Sequence, residues 1–130
     1  MVSKPCPFCD DTLATVAENE LAIAFRDAFP VSPGHTLIIP RRHEPDFTRL
    51  STEEQSAVME LATQVVAALR QEFSPGGFNI GVNVAAAGGQ TIAHAHLHVI
   101  PRYDNDVADP RGGIRWVLPD SAPYWDVSES

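Results

Sequence analysis

Long apolar runs are missing from this 130-residue chain. None reaches the roughly 20 residues that a membrane-spanning helix requires, so no transmembrane anchor is expected. The first ten residues, MVSKPCPFCD, also lack the apolar stretch of a secretory signal. Basic residues are scarce: 9 Lys and Arg stand against 17 Asp and Glu, for a net charge of −8. That balance argues against nucleic acid or an anionic membrane as partner, since both ask for a basic footprint. It leaves room for a small anionic ligand held locally by amides and imidazoles. Cysteine is scarce too, with only Cys6 and Cys9. In the reducing cytoplasm expected for a chain without a leader, the pair is not expected to form a structural disulfide.

What is present suits one domain over 1–130, with a core of about 6–102 and a tail over 103–130. Internal repeats and low-complexity linkers are lacking. Thr12–Glu20 reads as a strand running into a polar turn, and Leu21–Phe25 as a second strand paired to it. Arg26–Gly34 is a loop, and His35–Pro40 a third strand stopped by its proline. The clearest helix opens at Ser51, where STEE forms a capping box. Val58, Leu61, Ala62, Val65 and Leu69 follow at helical spacing and predict a buried stripe that runs on to about Phe73. Phe78–Val84 is a fourth strand, with Asn79, Gly81 and Asn83 on one face. His94–Ile100 is a fifth, stopped by Pro101. The order predicts an α+β fold: a five-stranded antiparallel sheet with one long helix packed on it. The tail is rich in Pro, Gly and Asp, yet Trp116, Tyr124 and Trp125 predict that it packs on the body.

The stretch HAHLHV puts three of the five histidines at alternate positions. Side chains alternate faces along a strand. His94, His96 and His98 therefore share one face, and Ala95, Leu97 and Val99 take the other into the core. Three unpartnered buried imidazoles would be costly, so the histidine face is expected to open on a polar site. Two chemistries fit: a catalytic metal held by three imidazoles, or nucleophilic attack by imidazole on phosphorus. Just upstream lie Gly88, Gly89, Gln90 and Thr91. They read as a phosphate cradle of close-approaching amides and side-chain donors, or as a plain flexible turn.

Taken together, these features resemble the histidine triad (HIT) superfamily, in its bacterial type. His94-Ala95-His96-Leu97-His98-Val99-Ile100 matches the His-x-His-x-His pattern followed by two apolar residues. Ala22–His43 resembles the family's first half, with its Gly-His-Thr-Leu-apolar-Ile-Pro segment, and Asn83–Arg102 its second. The resemblance implies the HIT-like fold and a two-fold homodimer. It also implies a nucleotide hydrolase or transferase acting at the α-phosphate of a small-molecule nucleotide, without a catalytic metal, as in the diadenosine polyphosphate hydrolase and nucleoside phosphoramidase branches. Carried over, His96 is the nucleophile, and His94 and His98 flank it and hold the phosphate, as cations. Asn83, Gly89, Gln90 and Thr91 are phosphate-side residues. Asp27 matches the ribose ligand. His35 is a pocket-side or structural histidine, and Ile23 and Phe25 are base-slot candidates or plain core.

Cys6 and Cys9 stand at the spacing of a zinc knuckle. By the same resemblance, a structural zinc would take Cys6, Cys9, His43 and His94. Arg102, Arg111 and Arg115 in the tail reach distal phosphates of a long substrate or lie solvated. Two other classes stay open: a zinc-dependent hydrolase with the triad as ligands, and a nucleotide-binding regulatory module without turnover.

Overall fold

Ser51 opens the helix. Its hydroxyl accepts the amide of Glu54 at 3.0 Å, and the Glu54 carboxylate accepts the Ser51 amide at 2.9 Å. These bonds satisfy two of the donors that a helix start leaves open. In the computed structural model, which describes residues 6–125, α1 runs Thr52–Phe73 and ends where Ser74 turns left-handed at φ 52°. The stripe from Val58 to Leu69 is buried, as its spacing predicts, and packs on Ala22, Ala24, Ile38, Leu97 and Val99. Glu54 also takes both ends of the Arg42 guanidinium, at 3.0–3.3 Å. The helix start thereby holds the segment that carries His43 and Glu44.

The sheet joins β1 (Thr15–Glu18), β2 (Ala22–Arg26), β3 (Thr36–Pro40), β4 (Gly77–Val82) and β5 (Leu97–Arg102). Their spatial order is β1-β2-β3-β5-β4, and every neighbouring pair is antiparallel. Alternation gives the sheet two different faces. One face meets α1. The open face carries Phe25 on β2, Leu37 and Ile39 on β3, and His98 and Ile100 on β5. Gly81, directly opposite His98, and Asn79, opposite Ile100, complete it on β4. Phe8, from the N-terminal segment, packs onto this face against Phe25, Leu37 and Ile39.

The fifth strand begins later than the sequence predicts, at Leu97 and not at His94. Only Thr36–Ile38 of β3 pairs with β5. Beyond that point the Ala95 amide donates to the Glu44 carbonyl at 2.7 Å, and the Pro40 carbonyl accepts the His94 ring at 2.9 Å. A side chain and a loop thus take the groups that a ladder would have used. At its other end β5 continues through Pro101. Pairing with β3 has ended there, so the missing N–H is tolerated as at a sheet edge. β1 is shorter than predicted because the Asp10 carboxylate accepts the Thr12 amide and hydroxyl in a turn.

The Tyr103 hydroxyl donates to the Pro33 carbonyl at 2.6 Å, and Ile114 rests over Gly81. Residues 1–5 and 126–130, which the single-domain expectation included, lie outside the described residues. No helix among those described is long and apolar enough to cross a membrane.

Candidate active site

Hydrogen bonding fixes which nitrogen of each triad ring holds a proton. His96 Nδ1 lies 2.9 Å from the His94 carbonyl. A carbonyl only accepts, so Nδ1 carries the proton and the Nε2 lone pair of neutral His96 is free. His94 is reversed: its Nε2 donates to the Pro40 carbonyl at 2.9 Å, which leaves Nδ1 as the lone pair. Placement of a carbonyl near one nitrogen selects the other for chemistry.

His98 is set by a longer relay. The Val31 amide donates to His35 Nδ1 at 3.1 Å. The proton of neutral His35 is therefore on Nε2, which lies 2.9 Å from His98 Nδ1. His98 accepts there and keeps its proton on Nε2. Burial pushes His35 below its ordinary range, with the Asp27 carboxylate opposing. Burial first, then the His96 and His35 rings, push His98 down to about 4. Both rings are thus neutral N–H donors at pH 7, where the sequence reading expected flanking cations. The Asp27 carboxylate accepts the Phe29 amide at 2.9 Å and stands 3.5 Å from His35 Nε2. His35, absent from the triad pattern, is the piece that orients His98.

His96 and His98, with ring centroids 5.0 Å apart, open on a cavity of about 450 Å³. Phe25, Asp27, Asn83, Gly89 and Thr91 line it. His94 does not: it is fully buried behind His96. Ile23 also falls short of the cavity, packed behind Phe25 in the apolar cluster. Phe8 lines the cavity and was missed; its ring stands edge-on to His96 at 5.1 Å and to Phe25 at 5.2 Å. The one signal for it was its position between the two cysteines. Leu13 and Ile92 were missed as well.

Gln90 sits beside the cavity, but its side chain is occupied. Its carbonyl oxygen accepts the Ala85 amide at 3.0 Å, and its Nε2 donates to the carbonyls of Pro45 and Ile92 at 2.7 and 2.9 Å. Ala85 adopts φ 64°, ψ 172°. A non-glycine residue in such a region costs about 1–3 kcal/mol. Gln90 holds that turn, and with it Gly89, in place. The tail arginines are occupied too. Arg102 pairs with Asp106 at 2.8 and 2.9 Å and with Asn79 at 2.6 Å, Arg111 with Asp109 at 2.9 Å, and Arg115 donates to the carbonyls of Ala122 and Ser121.

Behind the triad, Cys6, Cys9, His43 and His94 bring one ligand atom each to within 4.8 Å of one another. The two Nδ1 atoms are 3.3 Å apart, and Cys9 Sγ lies 3.2 Å from His43 Nδ1. Tetrahedral ligands at about 2.0–2.3 Å from a zinc ion would show such separations. The two sulfurs, at 2.7 Å, would move apart by about 1 Å in that geometry. Hydrogen bonding to Cys6 first, then burial, hold the Cys9 thiol up at about 11. A metal would reverse that by taking the thiolate. The donor set fits a metal ion. The three triad histidines do not converge on one: Nδ1 of His94 faces the thiols, Nδ1 of His96 faces a carbonyl, and Nδ1 of His98 faces His35.

Known proteins resemble this chain over most of its length. The HIT domain matches residues 11–105. An uncharacterized HIT-like protein of Mycoplasma genitalium is 44% identical over 104 residues, 76% of this chain and 74% of that protein. An AP-4-A phosphorylase of Mycobacterium tuberculosis is 31% identical over 98 residues, 75% of this chain and 50% of that protein. Among solved structures, a Zn-bound histidine triad family protein from Mycobacterium smegmatis superposes with a TM-score of 0.73 at 32% identity, covering 80% of this chain and 79% of the other. This chain belongs to the HIT family.

Proposed function

We propose that the chain is a nucleotide hydrolase or nucleotidyl transferase acting at the α-phosphorus of a (di)nucleoside polyphosphate or of a nucleotide ester or amide. One observation carries this reading: the bond from His96 Nδ1 to the His94 carbonyl leaves a buried Nε2 lone pair at the cavity wall, beside the Nε2–H of His98. A neutral imidazole held this way is a competent nucleophile near pH 7. His96 Nε2 attacks phosphorus, the Nε2–P bond forms, and the bond to the leaving atom breaks with its electron pair on that atom, which takes up a proton. Water then attacks the same phosphorus, the Nε2–P bond breaks, and a nucleoside monophosphate leaves. The His98 N–H and the Thr91 amide serve as donors to the phosphate oxygens, and Asn83 adds a side-chain amide. Asp27 accepts from the ribose hydroxyls, and Phe8 and Phe25 flank the base. The AP-4-A phosphorylase relative supports nucleotide chemistry.

The Cys/His group is assigned as a structural zinc site, supported by its donor set and by the Zn-bound relative. Bound there, zinc fixes Phe8 between two ligands and takes no part in the bond exchange. The homodimer and a reducing cytoplasmic setting belong to the same proposal. So does the extent of the unit, one domain over 1–130.

A panel of diadenosine polyphosphates, adenosine phosphoramidates and nucleotide sugars, read by product mass, tests the reading. Release of adenosine monophosphate from at least one is expected. Binding without turnover across the panel would instead mark a nucleotide-binding module, and turnover that tracks added metal would mark a metallohydrolase.

A further inference from the structure

A second cavity, of about 760 Å³, lies on the same open face of the sheet. Its floor is the next row of the strands that carry the site. Ile100 follows His98 on β5 by two residues, and Asn79, its partner on β4, lies two residues from Gly81, the partner of His98. Successive same-face positions on a strand are about 6–7 Å apart, so the two cavities are neighbours. Between them is Gly81, opposite His98, where a Cβ would meet only Ile114, at 3.7 Å. The roof is the tail, with Val107, Pro110, Trp116 and Trp125. The family match stops at residue 105, so this roof lies beyond it.

The roof is built in detail. At Gly113 (φ 39°) a Cβ would stand 3.0 Å from Asn79 Nδ2, and at Gly112 (φ 90°) it would stand 3.1 Å from the Trp125 ring. The Trp116 indole donates to the Arg111 carbonyl at 2.7 Å, and the Arg111 guanidinium lies 4.6 Å from the Trp125 ring centre. The rim charges cancel in pairs, Arg102 with Asp106 and Arg111 with Asp109. No unpaired cation faces the cavity among the described residues, so it offers nothing to a phosphate chain. Its walls are mainly apolar, with two indoles that suit a flat partner.

We propose that this cavity is a leaving-group subsite. It receives an uncharged, flat organic group attached through oxygen or nitrogen to the α-phosphorus, in preference to an oligophosphate. This rests on the reading of His96 as nucleophile. The exchange is the one already written, and one water is consumed overall: the organic group leaves as its alcohol or amine, and phosphorus keeps the new oxygen.

Both tryptophans of the chain line the cavity, so their indole N–H resonances report on it without turnover. The probes are the N-benzyl amidate of adenosine monophosphate, adenosine monophosphate itself and adenosine triphosphate. On the His96→Ala chain, the benzyl amidate is expected to shift both indole signals, and the two phosphates are expected to leave them in place. Indoles that ignore the benzyl group, that move equally with the phosphates, or that move only with protein concentration, as for a second copy of the chain, would overturn the proposal. In turnover, Ala108→Trp fills the cavity. It should lower the ratio of kcat/KM for the benzyl amidate over that for the unsubstituted amidate about tenfold, the scale of discrimination by an apolar pocket. An unchanged ratio in both Ala108→Trp and Trp116→Ala would also overturn it. Indole shifts in a chain that turns over no nucleotide would instead sink the nucleophile reading, and the leaving-group role with it.

Discussion

The first two histidines of the stretch His94–His98 use one residue type for opposite ends. At the first, His94 gives its N–H to the Pro40 carbonyl and turns a lone pair toward two thiols and His43. Two residues on, His96 gives its other N–H to the His94 carbonyl and turns a lone pair to the cavity. Nothing in the rings differs. Which nitrogen meets a carbonyl separates a ring turned to the Cys/His group from the ring proposed as nucleophile, and His94 serves both ends, one by its ring and one by its backbone. The contrast predicts that damage at the nucleophile end removes chemistry while the fold stays, and that damage at the thiol end loosens the pocket while the chemistry stays.

The largest effect is expected at the nucleophile. His96→Ala should lower kcat by more than about 10⁴-fold, the scale seen when a nucleophile is removed, with an unchanged thermal midpoint. His35→Ala should come next. Without its N–H, His98 is free to hold the wrong tautomer, and kcat should fall about 10–100-fold, as for other orienting partners. His35→Gln, which keeps a donor, should recover part of that, and KM should hardly move. A smaller effect follows at the thiol end. Cys9→Ser, or a chelator, should raise KM about tenfold, the loss of about 1.4 kcal/mol of binding, because Phe8 loses its anchor. Equal falls in kcat for His96→Ala and Cys9→Ser would erase the distinction between the two ends.

The smallest effect is on stability at low pH. The Arg42 guanidinium, then the Ser51 amide, hold the Glu54 carboxyl below its ordinary range. A carboxyl lowered on folding stabilises above its unfolded pKa, and the contribution is lost as pH falls through the lower folded value. Thermal midpoints should therefore fall below about pH 4.5 in the native chain. Glu54→Gln should be less stable by about 1–2 kcal/mol at pH 7 and should show a flatter acid limb. An identical acid limb in the two would contradict the assignment.

Much of the fold was legible because it is local. The capping box at Ser51 and the stripe from Val58 to Leu69 need only neighbouring residues, and both form as their spacing predicts. Alternation placed Leu97 and Val99 against the helix and His98 on the open face. The rest depends on partners distant in sequence. The strand starts at Leu97 because Glu44 takes the Ala95 amide. Gln90 has the composition of a phosphate donor, yet Ala85, Pro45 and Ile92 use its amide. The tail arginines suited distant phosphates by charge alone, and the carboxylates that pair with two of them are a few residues away. Phe8 became a cavity wall only once the cysteines met His43 and His94.

The central claim is that His96 takes the nucleotide covalently. Single-turnover mixing of the protein with a substrate that releases adenosine monophosphate, followed by acid-free quenching and peptide mass analysis, addresses it directly. The account predicts one adenylyl group on the peptide containing His96, appearing before free monophosphate and decaying into it. Turnover with no such adduct, or an unchanged rate in His96→Ala, would contradict it.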